Sequence, residues 1–412
     1  MKKYICAYII ILSVLLTSCT QTKPVEPTTN PPKTDYNFIE ETQPVILDEK
    51  PKEITTTYGY DNLSCEKSKK VYELIDKAVY QNNPYYINCE DYIEENLLLE
   101  TIDAYEGDHP ENFWFTGDFY YKVDNNITFI ELDYNMKGEE LKNAKVVFNK
   151  KIEEILNQIP NYENELDREL YIHDYLADNC KYGYDYSLEL EEALDATNNA
   201  YFALVDGMSA CEGLSKAFQL LCNKVGIECI CISGITLEEK HMWNIIKINN
   251  EWCHVDVTGS VANKETNILK EKYDFFNLSD EYIYDLYNYK PAGYYNEKIT
   301  PKDSINFYIP KCTSNKNNYY NAKCEKISDF ENVDHIINAM ANASRNKAEY
   351  FYLVVDESMD YETIATQLRK DGHLAKWTEK VNLINENHNQ TDYGAVTEIE
   401  TFNALIIYLM YK

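Results

Sequence analysis

The clearest helical pattern in the chain lies directly after Cys211. Apolar residues recur there at three- and four-residue spacing and form one stripe, namely Leu214, Ala217, Phe218, Leu221 and Val225. Ser209 and Glu212 have the Ser-x-x-Glu spacing of a capping box, and Gly226 stands where a C-terminal cap is expected. The pattern predicts a helix capped by Ser209, with Cys211 in its first turn.

Three apolar runs that follow this helix predict strands. They are Ile227–Ser233, His241–Ile248 and Glu251–Thr258. Asn249 and Asn250 separate the last two runs, and asparagine tolerates the left-handed backbone of a two-residue hairpin. That register puts His241 and Asp256 on one face as diagonal neighbours, about 7–8 Å apart at the backbone. A slip of one residue would place them on opposite faces.

Mixed helix and strand patterns on both sides of this stretch predict two smaller α+β domains. Residues 58–160 combine helical stripes with a hairpin pattern between Phe119 and Leu132. Residues 299–412 predict helices over Asp329–Ser344 and Tyr361–Lys370 and strands over Tyr350–Val355 and Thr401–Tyr411. The central part, residues 161–298, carries the Cys, His and Asp.

The first residues have the pattern of a targeting segment. Two lysines precede the apolar run Ala7–Leu16, which is too short to span a membrane as a mature helix. Leu16-Thr17-Ser18-Cys19 resembles a bacterial lipobox, which implies removal of residues 1–18 and a lipid on Cys19. An ordinary secretory signal is the alternative. Residues 19–57 are rich in Thr, Pro and Asn and predict an extended tether.

Charge and cysteine content narrow the function classes. The formal net charge is −30, from 69 acidic and 39 basic residues, which argues against binding to nucleic acid or to anionic lipid. The lipid on Cys19 would then be the membrane anchor. The 12 cysteines leave an odd number after Cys6, Cys19 and Cys211 are set aside, so a complete disulfide framework is not expected. Cys65 with Cys89 and Cys312 with Cys324 remain candidate bridges.

Cys211, His241 and Asp256 have the residue types of a thiol acyl-transfer site. A helix start presents free backbone N–H groups and favours the thiolate form of a cysteine. The same N–H groups can hold an oxyanion. His241 is the candidate proton carrier, and Asp256 is the candidate group that orients its ring. His254 lies on the same predicted strand face as Asp256 and is interpreted as a neighbour of the site.

Three ordered motifs resemble the transglutaminase-like core, a papain-related fold. They are Cys211 with Gly213 and Phe218, His241-Met242-Trp243-Asn244, and Trp252 with Val255-Asp256-Val257-Thr258. The resemblance covers roughly Asn161 to Tyr295. It implies an α+β core in which a helix bearing the Cys packs on an antiparallel sheet. The chain departs from the family at Met242, where Ala is usual, and at Gly259-Ser260, where the family continues with Trp-x-Asp.

The resemblance implies a Cys-His-Asp triad for acyl transfer or hydrolysis at peptide or protein amide bonds. Tyr201 and Trp243 are candidates for lining the acyl or oxyanion site, and packing is the alternative for each. No cofactor or metal is needed by this chemistry. The expected substrate is an extracellular protein or peptide, including cell-wall material, at the outer face of a Gram-positive bacterial membrane. The alternative is a non-catalytic surface module that keeps the fold for binding.

Overall fold

The computed structural model describes residues 57–183, 198–236, 239–265, 272–291, 309–370, 372–386 and 391–411. The predicted signal peptide, Cys19 and nearly all of the tether lie outside these residues. No helix in the described ranges is both long and apolar enough to cross a membrane. All ten cysteines in these ranges are free thiols, so Cys65 with Cys89 and Cys312 with Cys324 are not bridged.

The N-terminal unit combines helices with a three-stranded antiparallel sheet of order β1-β3-β2. Its elements are α1 (Tyr58–Asp61), α2 (Glu66–Gln81), β1 (Ile87–Asn88), α3 (Glu95–Asp108), β2 (Phe115–Asp124), β3 (Ile127–Tyr134) and α4 (Gly138–Leu156). The predicted hairpin is confirmed, because Asp124 pairs with Ile127 across Asn125 and Asn126. Both asparagines have positive φ, as a two-residue hairpin loop requires.

The central unit packs helices against a four-stranded antiparallel sheet of order β8-β7-β6-β9. Its elements are α5 (Glu165–Asn179), β4 (Lys181–Tyr182), a π-helical segment (Phe202–Asp206), β5 (Met208–Ser209), α6 (Cys211–Lys224), β6 (Cys229–Thr236), β7 (Glu239–Ile248), β8 (Glu251–Val255), α7 (Val257–Glu265), a second π-helical segment (Glu281–Leu286) and β9 (Lys290–Pro291). The predicted α+β class, with the Cys-bearing helix packed on an antiparallel sheet, is confirmed.

Helix α6 confirms the predicted apolar stripe but corrects the predicted cap. Leu214, Phe218 and Leu221 are completely buried, and each contributes roughly 1.5–3 kcal/mol by leaving water. The N-cap residue is Ala210, so the capping box of Ser209 with Glu212 is wrong. Ser209 is instead buried in β5, which pairs with β4, and sheet pairing prevails over its capping preference. Gly226 follows the helix with φ +80°, the left-handed conformation expected after a helix end.

The hairpin β7–β8 has the predicted register, with Ile248 paired to Glu251 across Asn249 and Asn250. The second strand ends earlier than predicted, at Val255, and helix α7 begins at Val257. The strand ends there because the next residue, Asp256, caps helix α7. The Asp256 carboxylate accepts a hydrogen bond at 2.9 Å from the backbone N–H of Thr258, which makes Asp256 the N-cap residue of α7.

The C-terminal unit forms a four-stranded sheet of order β10-β11-β13-β12. Its elements are α8 (Tyr319–Lys323), β10 (Glu325–Ile327), α9 (Asp334–Arg345), β11 (Tyr350–Val355), α10 (Tyr361–Lys370), α11 (His373–Ile384), β12 (Thr391–Ile399), a 3₁₀ turn (Glu400–Phe402) and β13 (Ala404–Tyr411). The predictions for β11 and α10 are confirmed. Helix α9 starts five residues later than predicted and β13 three residues later, and α11 and β12 were not predicted.

Both faces of the C-terminal sheet are buried. Phe351, Leu353 and Val355 of β11 pack with apolar residues of the helices, whereas Val354 packs with the core of the central unit. The contact between the C-terminal unit and the central unit is rich in tyrosine. There Tyr273 stacks on Tyr319 with ring centres 3.6 Å apart. One apolar core runs from the N-terminal unit through the central unit to the C-terminal sheet. The division at residues 160 and 298 therefore stays a prediction.

Gly213, in the first turn of α6, allows this helix to pack closely against the chain that precedes it. A Cβ at this position would lie 2.7 Å from the backbone N and O of Asn199. We expect Gly213→Ala to lower the free energy of unfolding by about 1–3 kcal/mol, although alanine is the better helix former. Denaturant titration measures the change.

The matched control for this prediction is Gly107→Ala in α3, where a Cβ would meet no atom within 4 Å. There we expect a gain of up to about 1 kcal/mol from helix propensity alone. If both variants gain stability, the close approach at Gly213 does not constrain the fold.

Candidate active site

Helix α6 and the hairpin β7–β8 bring Cys211, His241 and Asp256 together. Cys211 is the first residue of α6 and is partly exposed, and His241 stands on β7 facing it. The Cys211 side chain lies near enough to His241 to raise the pKa of its ring. His241 Nε2 lies 2.8 Å from Asp256 Oδ2. Because Nε2 is engaged by the carboxylate, Nδ1 is the ring nitrogen that remains for the thiol.

The Asp256 carboxylate is buried and receives three hydrogen bonds. Oδ2 accepts from His241 and from the Tyr289 hydroxyl at 2.6 Å, and Oδ1 accepts from the Thr258 N–H. Burial alone would raise the pKa of Asp256, but His241 and these donors outweigh it and the pKa is lowered. The carboxylate therefore stays ionised inside the protein.

His241 is nearly buried and its charge depends on Asp256. Burial lowers the pKa of His241, but the Asp256 carboxylate and the Cys211 side chain together outweigh it and raise the pKa to about 10. The stability that this pair contributes through His241 is complete below about pH 6.5 and is lost as the pH rises through the folded-state pKa. The contribution through Asp256, whose pKa is lowered, is lost as the pH falls through its folded-state pKa.

Trp243 and Tyr201, the two candidate lining residues, have packing roles in the structure. Trp243 is completely buried, lies parallel to the His241 ring at 6.2 Å, and donates its indole N–H to His254 at 3.1 Å. With its only donor used, Trp243 does not supply an oxyanion contact. Tyr201 lies against Phe113 and Phe148 of the N-terminal unit, with ring centres 4.8 Å and 5.8 Å away. These contacts favour the packing interpretation for Tyr201.

His254 belongs to a separate hydrogen-bonded cluster. Its Nδ1 accepts from Trp243, so the ring proton is on Nε2, which donates to Asp280 at 2.9 Å. In the described part of the chain, His254, Asp280 and Cys312 are the one group near enough together to hold a metal ion. A metal on Nε2 would leave the ring without a proton on either nitrogen, which is unfavourable for imidazole. The cluster therefore fits hydrogen bonding better than metal binding.

A Ser-His-Asp arrangement also lies between helices α5 and α7. His173 Nε2 lies 2.9 Å from Ser260 Oγ, and His173 Nδ1 lies 3.2 Å from Asp174 Oδ1. His173 and Ser260 are both buried, at 0% and 3% exposure, so no substrate reaches them. The Ser260 hydroxyl lies 2.5 Å from the backbone oxygen of Lys272 and donates to it. The hydrogen bond between His173 and Ser260 links α5 to α7.

Tyr289 is the residue at this site that the sequence analysis missed. It contacts both members of the pair. Its hydroxyl donates to Asp256, and its ring packs edge to face on the His241 ring with the ring centres 5.5 Å apart. It lies 33 residues after Asp256. No pairing rule links the two positions in the sequence. The one local signal was the run Tyr287-Asn288-Tyr289-Lys290-Pro291, in which Asn288 has the left-handed backbone of a turn.

Comparison with known proteins confirms the predicted transglutaminase-like core in the central unit. The family model described as the transglutaminase-like superfamily matches residues 153–257, a range that contains Cys211, His241 and Asp256. The chain thus contains a transglutaminase-like domain. No curated protein is significantly similar to the chain.

Three solved structures are similar to part of the chain. A transglutaminase is 15% identical over 43% of this chain and 51% of its own, with a TM-score of 0.25. A proposed cysteine protease from Cytophaga hutchinsonii is 12% identical over 34% of this chain and 61% of its own, with a TM-score of 0.22. A proposed protease from Parabacteroides distasonis is 9% identical over 34% and 39%, with a TM-score of 0.20. The chain spans about half the length of the first of these.

The pKa of His241 provides a test of the site geometry. We expect Asp256→Asn to lower the pKa of His241 below its usual value, because burial, which lowers the pKa most, is then opposed only by Cys211. In the wild type the ring stays protonated at neutral pH, and in the variant it is neutral. Titration of ¹³C-labelled histidine by NMR measures both.

Asp280→Asn is the control, since Asp280 pairs with His254 and not with His241. It should leave the His241 titration unchanged. A His241 ring that stays protonated at neutral pH in Asp256→Asn would contradict the geometry described above.

Proposed function

We propose that the chain is a thiol acyl-transfer enzyme in which Cys211 is the nucleophile, His241 carries the proton and Asp256 orients His241. The observation that supports this most is the hydrogen bond of 2.8 Å between His241 Nε2 and Asp256 Oδ2, with Cys211 near the same ring. This bond occupies Nε2 and leaves Nδ1 for the thiol. The transglutaminase-like family match over this region supports the same chemistry.

The reaction proceeds in two steps. The Cys211 thiolate attacks an amide carbonyl carbon, the C–N bond breaks, and the leaving amine takes a proton from the His241 imidazolium. Backbone N–H groups in the first turn of α6 have no carbonyl partner within the helix and can hold the oxyanion. In the second step water attacks the thioester, His241 accepts its proton, and the C–S bond breaks.

We infer that hydrolysis of peptide or protein amide bonds is the main outcome. Cys211 is partly exposed, so water has access to the thioester. The alternative outcome is transamidation, in which an amine replaces water in the second step. A non-catalytic binding module has less support, because the full set of Cys, His and Asp is retained in hydrogen-bonding arrangement.

Alkylation of the full chain with iodoacetamide from about pH 5 to about pH 9 tests the activated thiol. Cys65 is an internal comparator, since it is also partly exposed and a hydrogen bond from Ser68 lowers its pKa. We expect Cys211 to react at least about tenfold faster than Cys65 near pH 6, and His241→Asn to remove this advantage. Peptide mapping by mass spectrometry gives the rate at each thiol.

The Cys65→Ser variant controls for competition between the two thiols and should leave the rate at Cys211 unchanged. If Cys211 reacts no faster than Cys65, the enzyme proposal fails and the binding module becomes the better explanation. If Cys211 is activated, peptide substrates offered with and without an amine donor separate hydrolysis from transamidation.

We also propose that the protein is exported and anchored at the extracellular face of the cell membrane by a lipid on Cys19. The lipobox-like sequence and the tether after it support this. We expect a chain expressed in a Gram-positive bacterium to incorporate an alkyne-labelled fatty acid, and Cys19→Ala to lose the label and the membrane fraction. Cys6→Ala, which changes a cysteine ahead of the cleavage site, should keep both. Retention of the label in Cys19→Ala would overturn the anchor.

A further inference from the structure

Tyr289 reaches the site from outside the region that the family model matches, which ends at residue 257. Its hydroxyl is 2.6 Å from Asp256 Oδ2, the same oxygen that binds His241. Burial and the neighbouring carboxylate raise the pKa of Tyr289 well above its usual value, so the hydroxyl keeps the proton that it donates. The contact is therefore a hydrogen bond from a neutral phenol to an ionised carboxylate.

Resting on the proposed function, we propose that Tyr289 is a positioning residue: it holds the Asp256 carboxylate in the orientation that aligns His241 with Cys211. With Thr258 N–H on Oδ1 and Tyr289 on Oδ2, the carboxylate plane is fixed from both ends. His241 then finds its acceptor at one defined place. A carboxylate held only by Thr258 would be able to turn Oδ2 away from the imidazole.

The surrounding structure places the Tyr289 side chain closely. Its ring packs edge-on against both Trp243, at 5.2 Å, and His241, at 5.5 Å. Its backbone N–H donates to the backbone oxygen of Ile283, within the second π-helical segment, at 3.0 Å. The next residues form β9, which pairs with Gly234 and Ile235 of β6.

Gly234 permits this pairing. A Cβ at position 234 would collide with the backbone oxygen of Lys290 and would lie 2.7 Å from the Trp243 ring. Real Cβ atoms do not approach so closely, so a side chain at 234 would push β9 away from β6. The chemical identity of residue 234 thus controls the distance between the Tyr289 hydroxyl and Asp256.

The test is Tyr289→Phe in the full chain, with two readouts. We expect the maximal rate of Cys211 alkylation to fall by about tenfold, the scale of a lost hydrogen bond to a charged group. We also expect the His241 Nε2–H proton resonance to move upfield in ¹⁵N-histidine NMR, because Oδ2 is then able to turn away from the imidazole and the hydrogen bond weakens. A purely structural role would lower the melting temperature and leave this resonance in place.

Tyr320→Phe is the matched control. Tyr320 is also a buried tyrosine that donates to a buried carboxylate, Asp274, at 2.7 Å, but in the contact with the C-terminal unit. It should lose similar stability and change neither readout. Gly234→Ala is the second variant. It keeps the Tyr289 hydroxyl but shifts the segment that bears Tyr289, so it should change both readouts in the same direction as Tyr289→Phe.

The outcomes separate the two proposals. If wild-type Cys211 is activated and Tyr289→Phe changes neither readout, the positioning role is overturned and the proposed function stands. If wild-type Cys211 is no faster than Cys65 but the His241 resonance moves in Tyr289→Phe, the proposed function fails and the hold of Tyr289 on the Asp256–His241 pair stands.

Discussion

The buried negative charge of Asp256 is the constraint on which the central unit depends. An isolated carboxylate in a protein interior is very unfavourable, and it persists only when donors surround it. Here the donors come from three separate parts of the chain: the hairpin strand β7, the start of α7 and the segment before β9. Each of these parts must be in place for the charge to be tolerated. The same residue follows the end of a strand, caps a helix and bonds to His241, so the site is complete only when these elements are in place.

The helix that carries Cys211 is also held by contacts with the N-terminal unit. Lys216, one turn after Glu212, pairs with Glu212 at 2.6 Å and with Glu106 of α3 at 3.0 Å. Gln219 donates to the backbone oxygen of Gly107 at 2.6 Å. Burial alone would lower the pKa of Lys216, but Glu106 and Glu212 outweigh it and raise the pKa, so the ammonium stays charged. The N-terminal unit therefore contributes to the position of Cys211 although no motif in it indicated chemistry.

Local sequence patterns predicted the elements of this site well where the interactions are local. The stripe of α6 and the Asn249-Asn250 loop depend on residues a few positions apart, and both are confirmed. The cap of α6 was predicted wrongly because Ser209 is taken into a β-bridge with Tyr182, a contact between distant residues. The end of β8 was missed because Asp256 was read as a strand residue, although aspartate before a helix is a common cap. Tyr289 lay beyond prediction, since only the folded sheet brings it to Asp256.

The two histidines beside Trp243 show how hydrogen bonding assigns different roles to the same side chain. Both face a carboxylate, His241 that of Asp256 and His254 that of Asp280. The two rings differ in the contacts of Nδ1, the nitrogen that does not contact the carboxylate. In His254 it accepts the indole N–H of Trp243, so both nitrogens are occupied and burial lowers the pKa of the ring. In His241, Nδ1 is the nitrogen left for Cys211, and the proposed mechanism passes a proton through it. Trp243 thus occupies the second nitrogen of His254 while its ring packs along His241, so the proposed base is the histidine to which the indole does not donate.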